Sequence, residues 1–230
     1  MAKGLREWVD DHVTPVKEKP LRWLAEEYFF RDPTRPALTD TSYFFSPADG
    51  IVVYQRTVTP DEPIVDINGK NYSLRDAMRD PSYDRESLVI GVFMTFVDVH
   101  INRIPFPGRL SYKELEEIGT YNRPMLLRLD TGAAAYLHTN QRMLNRVYAP
   151  ALGQSYFVLQ IADCDVSAIM PFQLKQNRPV AQNQRFSQIR FGSQVDLIVP
   201  LSRRFEFIPL QQPGVHVEAG IDPLVRIHPI

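Results

Sequence analysis

The chain has 230 residues, 44% of them hydrophobic and 23% charged, a composition that folds around a core rather than staying disordered. Its 26 Lys and Arg against 27 Asp and Glu leave a net charge of −1, which excludes a strongly basic nucleic-acid-binding surface. The single cysteine, Cys164, excludes an intrachain disulfide and a thiolate-only zinc site, and suits a reducing, cytoplasmic compartment.

Two amphipathic pieces open the chain. Leu5, Trp8, Val9 and Val13 recur at helical spacing until Pro15, and Pro20 starts a second piece, LRWLAEEYFF. Pro33 and Pro36 then forbid helix through RDPTRP. From Tyr43 the texture is that of strands. SPADG reads as a tight turn feeding IVVYQRTV, and PIVDI-NGK-NYSL as a hairpin about Asn68-Gly69. A short helix is predicted over Leu74 to Asp80. LVIGVFMTFVDVHINRI supplies one or two buried strands, and SYKELEEIG a helical turn. MLLRLD, RMLNRVYAP, SYFVLQIA, QVDLIVP and FEFIPL read as strands, and VHVEAGIDPLVRI as two short runs about Gly220. The 19 prolines against 11 glycines favour short strands between fixed turns. The longest apolar run, Leu88 to Val97, is half of the roughly 20 residues a membrane helix needs, so no transmembrane segment is expected. The opening MAKGLREWVDDHV carries acids where a signal peptide needs an apolar stretch. The expected fold class is α+β: a mostly antiparallel β-sheet domain over residues 41–230, preceded by an N-terminal helical arm over 1–40.

Three places can carry chemistry. In RFGSQVDLIVP, Gly192 leaves its carbonyl open and Ser193 follows with a hydroxyl. A hydroxyl so placed can attack the preceding carbonyl and turn the peptide bond into an ester; elimination then cuts the chain. By itself a Gly-Ser is equally a turn. His100, alone among the five histidines, sits in an apolar strand pattern beside a carboxylate. Strand spacing puts Asp98, His100 and Asn102 on one face, where an Asp can fix a His tautomer, although a core histidine reads the same way. Asp49, in SPADG, suits turn chemistry. No metal-ligand spacing, GxGxxG or Walker pattern is present, so no metal or nucleotide is expected.

SPADG at Ser46–Gly50, DVHINRIP at Asp98–Pro105 and IRFGSQVDLIVP at Ile189–Pro200, in this order, resemble the short form of the phosphatidylserine decarboxylase family. EYFFRDPTRP and NGKNYSLRDAM are similar to the same family. The resemblance implies a pyruvoyl-dependent, self-cleaving decarboxylase with its scissile bond between Gly192 and Ser193. Residues 1–192 and 193–230 would then form a heterodimer of cleaved chains. Ser193, His100 and Asp49 match the family's reacting serine, histidine and aspartate, with Asp98, Asn102, Arg103 and Gln194 in support. The implied cofactor is a covalent pyruvoyl group made from Ser193. It would form a Schiff base with phosphatidylserine, and phosphatidylethanolamine would be the product.

Four departures accompany the resemblance. Arg103 stands where long forms have a second histidine, Gln141 where the family usually has Glu, and Gln194 where short forms often have Arg; Thr-Phe-Val precedes Asp98 in place of a Ser-Pro group. Two alternatives stay open: decarboxylation of a soluble amino acid, and a non-cleaving lipid- or ligand-binding relative. A phospholipid substrate implies a membrane surface. Trp8, Trp23, Tyr28, Phe29 and Phe30, with Lys3, Arg6, Lys17, Lys19 and Arg22, suit either interfacial docking or packing on the sheet. The expected localisation is peripheral to a membrane, and relatives commonly pair as homo-oligomers.

Overall fold

The computed structural model describes every residue but 1, 37–38, 68–69, 116–136, 138–139, 163–167 and 191–192. The MLLRLD run, His138, Cys164, Gly192 and the Asn68-Gly69 turn lie outside the described residues.

The arm begins with β1 (Lys3–Gly4) and α1 (Leu5–Trp8), which widens into a π-helical turn over Val9–Val13. A second piece, α2 (Leu21–Trp23), widens in the same way over Leu24–Tyr28. Then come β2 (Tyr43–Phe45) and β3 (Gly50–Val58), with SPADG as the turn between them. β4 (Val65–Ile67) and β5 (Lys70–Tyr72) pair as the expected hairpin, and α3 (Leu74–Met78) follows. The long apolar stretch divides into β6 (Ser87–Met94) and β7 (Ile101–Arg103). β8 (Gly108–Leu115), β9 (Arg142–Ala149) and β10 (Gln154–Ala162) form an antiparallel meander. β11 (Ile169–Pro171), β12 (Arg178–Val180) and β13 (Arg185–Ile189) lead into β14 (Ser193–Pro200). β15 (Phe205–Pro209), β16 (Val215–Val217) and β17 (Pro223–Pro229) finish the chain.

Nine strands form one antiparallel sheet in the order β1-β16-β3-β6-β14-β10-β9-β8-β12. Smaller sheets, β11-β13-β7 and β15-β17-β2, sit beside it. The central strands are covered on both faces, which is why their sequence is almost continuously apolar. Val195, Leu197 and Val199 of β14 join the larger core with Val92, Met94 and Val158. Ile198 faces the smaller core, which Leu74, Ala77 and Met78 of α3 cover. α3 is held by a capping box between Ser73 and Asp76 at its start. At its end the buried Arg142 donates to the carbonyls of Asp76 and Ala77, at 3.0 and 2.8 Å.

The expected helical turn at SYKELEEIG is corrected over Ser111–Leu115, which belongs to β8 and pairs with β9 from Arg109–Tyr148 to Leu115–Arg142. Pairing with a neighbouring strand outweighs the local helical preference of Lys-Glu-Leu. A second correction concerns Asp98 and His100. Residues 95–100 form a turn between β6 and β7, not a strand, so spacing by two does not put these side chains on one face.

Candidate active site

One row of cross-strand partners locates the site. Lys3, His216, Ile51, Phe93, Gln194 and Ile161 pair successively across β1, β16, β3, β6, β14 and β10. Beside this row three stretches meet: the turn ending at Gly50, the turn after Met94, and the start of β14 at Ser193, whose partners are Met94 and Ala162. Gly50 is required here. Its φ is +153°, and a Cβ would lie 2.2 Å from the Phe93 carbonyl oxygen. The backbone of the SPADG turn can therefore lie against β6, one residue from Asp49.

His100 is fully buried. Its Nδ1 lies 3.0 Å from the backbone carbonyl of Asp98, so Nδ1 carries the proton and donates it there. Its Nε2 is buried without a hydrogen-bond partner among the described residues. The Phe29 ring stacks on the imidazole, centroids 3.9 Å apart. Burial pushes the His100 pKa down to about 4, against the opposing pull of the Asp98 carboxylate and carbonyl, and nearby Arg31 adds to the fall. The result is a neutral imidazole with an open, proton-accepting Nε2. The environment leaves Nε2 as the acceptor and does not stabilise the charged form of the ring.

The expected Asp98 carboxylate–His100 pair is not formed. Asp98 Oδ2 accepts from the Thr95 amide (2.7 Å) and hydroxyl (2.6 Å), and Oδ1 lies 2.7 Å from Nε2 of His216. Burial works against the charged carboxylate, but the bonds from His216 and Thr95 outweigh it and hold the Asp98 pKa below the usual carboxylate range. Asp49 is likewise separate from His100. It accepts a two-pronged ion pair from Arg35, Nη1 at 2.6 Å and Nη2 at 2.5 Å, and a bond from the Ala219 amide at 2.8 Å. Both partners are 5% exposed. Burial opposes the Arg35 charge, yet its bonds with Asp49 raise its pKa further.

The model of the family described as phosphatidylserine decarboxylase matches residues 27–223. The chain belongs to the phosphatidylserine decarboxylase family. It is 34% identical over 211 residues to a phosphatidylserine decarboxylase proenzyme of Erythrobacter litoralis, covering 90% of this chain and 76% of that protein. A phosphatidylserine decarboxylase proenzyme of Ralstonia nicotianae is 31% identical over 195 residues, covering 79% and 72%. Membership makes this chain a decarboxylase.

The family's departures take on structural meaning here. Arg103, at the place of the long forms' second histidine, donates to the Asn183 carbonyl at 3.1 Å and lies 3.9 Å from Asp32. Burial, with Arg35 and Arg185 nearby, lowers its pKa. Gln141 Nε2 donates to Glu114 at 2.6 Å while its Oε1 accepts from the Ala168 and Ile169 amides at 2.9 and 3.3 Å. An amide suits that position because it both donates and accepts. Gln194 donates to the Tyr54 hydroxyl (2.5 Å) and to Asp196 (2.8 Å), within a buried cluster. Asn102 accepts from Gln160 at 2.6 Å, and Gln160 in turn accepts from Asn145 at 2.9 Å. Asn102, Arg103 and Gln194 thus all spend their side-chain donors or acceptors on other protein groups.

Sequence reasoning passed over Arg35, His216 and the arm's contacts. Trp8 stacks on His216 at 4.9 Å, Arg31 donates to the carbonyls of Val97 at 2.5 Å and Asp98 at 3.5 Å, and Phe29 covers His100. These arm contacts span from 66 to more than 200 positions, beyond any local pattern, whereas Arg35 and Asp49 are 14 apart. A groove of about 550 Å³, lined by Tyr83, Arg85, Tyr112, Arg146, Tyr148 and Phe157, opens near Pro200. That is the far end of β14, roughly 24 Å from Ser193 at about 3.4 Å per residue, and too distant to be the reaction site. No described helix is long and apolar enough to cross a membrane, and the described residues contain no metal-binding cluster of His, Cys, Asp and Glu.

Proposed function

We propose that this chain is a proenzyme that cuts itself between Gly192 and Ser193 and then decarboxylates phosphatidylserine to phosphatidylethanolamine. The observation that carries the reading is the buried, neutral His100 with an open Nε2, at the sheet end where β14 begins. In the first stage the Ser193 hydroxyl adds to the Gly192 carbonyl carbon, and His100 accepts its proton. The C–N bond breaks, and the amine leaves with a proton to give an ester. Removal of the Ser193 α-proton then expels the Gly192 carboxylate and leaves a dehydroalanine end, which water converts to a pyruvoyl end with release of ammonia.

The residues fit such a group: a proton acceptor without a described partner lies in the turn that follows Met94, the strand partner of Ser193, and Phe29 closes one side of its ring. A pyruvoyl group supplies the sink for the electron pair released with carbon dioxide. His100, protonated during turnover, returns a proton to the substrate carbon. Phe29 excludes water from the ring, Arg31 braces the carbonyls at Val97 and Asp98, and Asp49 joins the arm to Ala219. Because Trp8 and Phe29 are buried, contact with a lipid surface falls to exposed apolar groups such as Leu21 and Phe30 of the arm.

A denaturing gel and intact mass of the purified protein test the first stage. Two chains are expected, the smaller one blocked at its N-terminus and reducible by borohydride, with Ser193→Ala remaining whole. Two chains from Ser193→Ala refute the site. Carbon dioxide release from phosphatidylserine vesicles against free serine tests the second stage; equal or faster turnover of serine refutes the phospholipid assignment.

A further inference from the structure

His216 is the one buried histidine besides His100 among the described residues, and the self-cleavage scheme makes no use of it. It lies on β16, next to Ile51 on β3 and Lys3 on β1. Its Nε2 is the sole described partner of Asp98 Oδ1, at 2.7 Å, in a contact where both side chains are under 5% exposed. Asp98 Oδ2 closes the turn from Thr95, and the Asp98 amide donates to the Thr95 carbonyl at 3.1 Å. The Asp98 carbonyl then receives the proton of His100 Nδ1. A continuous path therefore runs from one imidazole to the other: His216 to the Asp98 carboxylate, through the turn, and from the Asp98 carbonyl to His100.

We propose that His216 is a positioning residue for His100, clamping the 95–98 turn so that His100 keeps its proton on Nδ1 and presents an open Nε2. The inference rests on the role assigned to His100. It also gives residues 193–230 a second task. They would carry Ser193 and also the side chain that orders the base on residues 1–192. Arg103, on β7, turns to Asn183 and Asp32, and the imidazole that reaches the 95–98 turn comes from β16. The groups around His216 are Asp98, Lys3 on the paired strand, Glu218 two residues on, and the arm's Asp11 and His12, whose ring is 6.2 Å away; Trp8 stacks on its face.

The test uses the uncut Ser193→Ala chain, with ¹⁵N-labelled histidine read by NMR, alongside cleavage and turnover in chains that keep Ser193. With His216 present, His100 should show one tautomer, protonated at Nδ1. His216→Ala should give mixed tautomers. It should also slow self-cleavage and kcat by at least about tenfold, with KM changed less than twofold. His216→Gln, which keeps a donor in reach of Asp98, should restore the tautomer and bring both rates within about threefold. Should the Ala form not fold, His216→Met, of similar volume but without a donor, replaces it. A folded donor-free variant with an unchanged His100 tautomer overturns the proposal. So does a Gln form as impaired as the donor-free form. If the parent chain neither cuts itself nor decarboxylates, the proposed function fails instead, and the tautomer measurement still decides whether His216 positions His100.

Discussion

Replacing Arg35 with Met removes two of the three hydrogen bonds that Asp49 accepts, those at 2.6 and 2.5 Å, and leaves the Ala219 amide. Oδ2 would then have no donor among the described residues, in a site where the carboxylate is 5% exposed. Hydrogen bonds to charged groups contribute about 1.5–3 kcal/mol each, and breaking a buried pair from one side costs about 3–5 kcal/mol. Arg35→Met should therefore lower unfolding free energy by about 3–5 kcal/mol. Asp49→Leu should cost a similar amount by leaving the buried guanidinium without its counter-charge and with only the Ala219 carbonyl, at 2.7 Å, as acceptor. The double replacement should cost clearly less than the sum, since neither charge is then stranded. Urea titrations of the four chains, all carrying Ser193→Ala so that each remains one polypeptide, give the coupling. Additive losses, or a single Arg35→Met loss under about 1 kcal/mol, would refute the view that this pair ties the arm to Ala219.

Three further outcomes follow from the buried polar groups. His100, pushed down to about 4 from an ordinary value near 6.5, is protonated more readily in the unfolded chain, so its contribution is complete above about pH 6.5 and is lost as pH falls toward 4. His100→Gln should abolish that contribution, about 3 kcal/mol, in urea titrations across this window; the self-cleavage rate of the chain with Ser193 should keep its acid limb near pH 4 instead of 6.5. Burial pushes Asp196 up to about 6, despite the bonds from Gln194 and Tyr54, so its contribution is greatest below pH 3.8 and declines as pH rises to about 6. Asp196→Asn should remove that decline, again about 3 kcal/mol, in the same titrations. Gln141→Glu, the residue usual in the family, should destabilise this chain by about 1–3 kcal/mol on thermal or urea unfolding, because it sets a second carboxylate against Glu114 and removes the donor.

The legible parts of this fold were those with short-range causes. Proline placement marked the ends of the arm's helices, and an unbroken apolar run marked β6. Gly220, at φ +72°, marked the turn between β16 and β17. Motif order singled out Ser193, His100 and Asp49 as candidates, and the turn ending at Gly50, the 95–100 turn and the start of β14 lie toward one end of the sheet. What remained hidden was who touches whom. Asp98 and His100 are two residues apart, yet their link is a backbone carbonyl, because the chain leaves the strand at Thr95. The carboxylate instead meets an imidazole 118 positions later. Spacing encodes direction within an element, while such a pairing depends on sheet order, which brings β16 beside β3.

β14 lies in the middle of the nine-stranded sheet, between β6 and β10, while β16 lies between β1 and β3 and β17 pairs with β2. A break at Gly192 would thus free a fragment whose strands remain threaded among those of the other, so that scission is chemically complete and mechanically silent. An affinity handle fixed at Ile230 should carry residues 1–192 through every gentle wash and shed them only in denaturant.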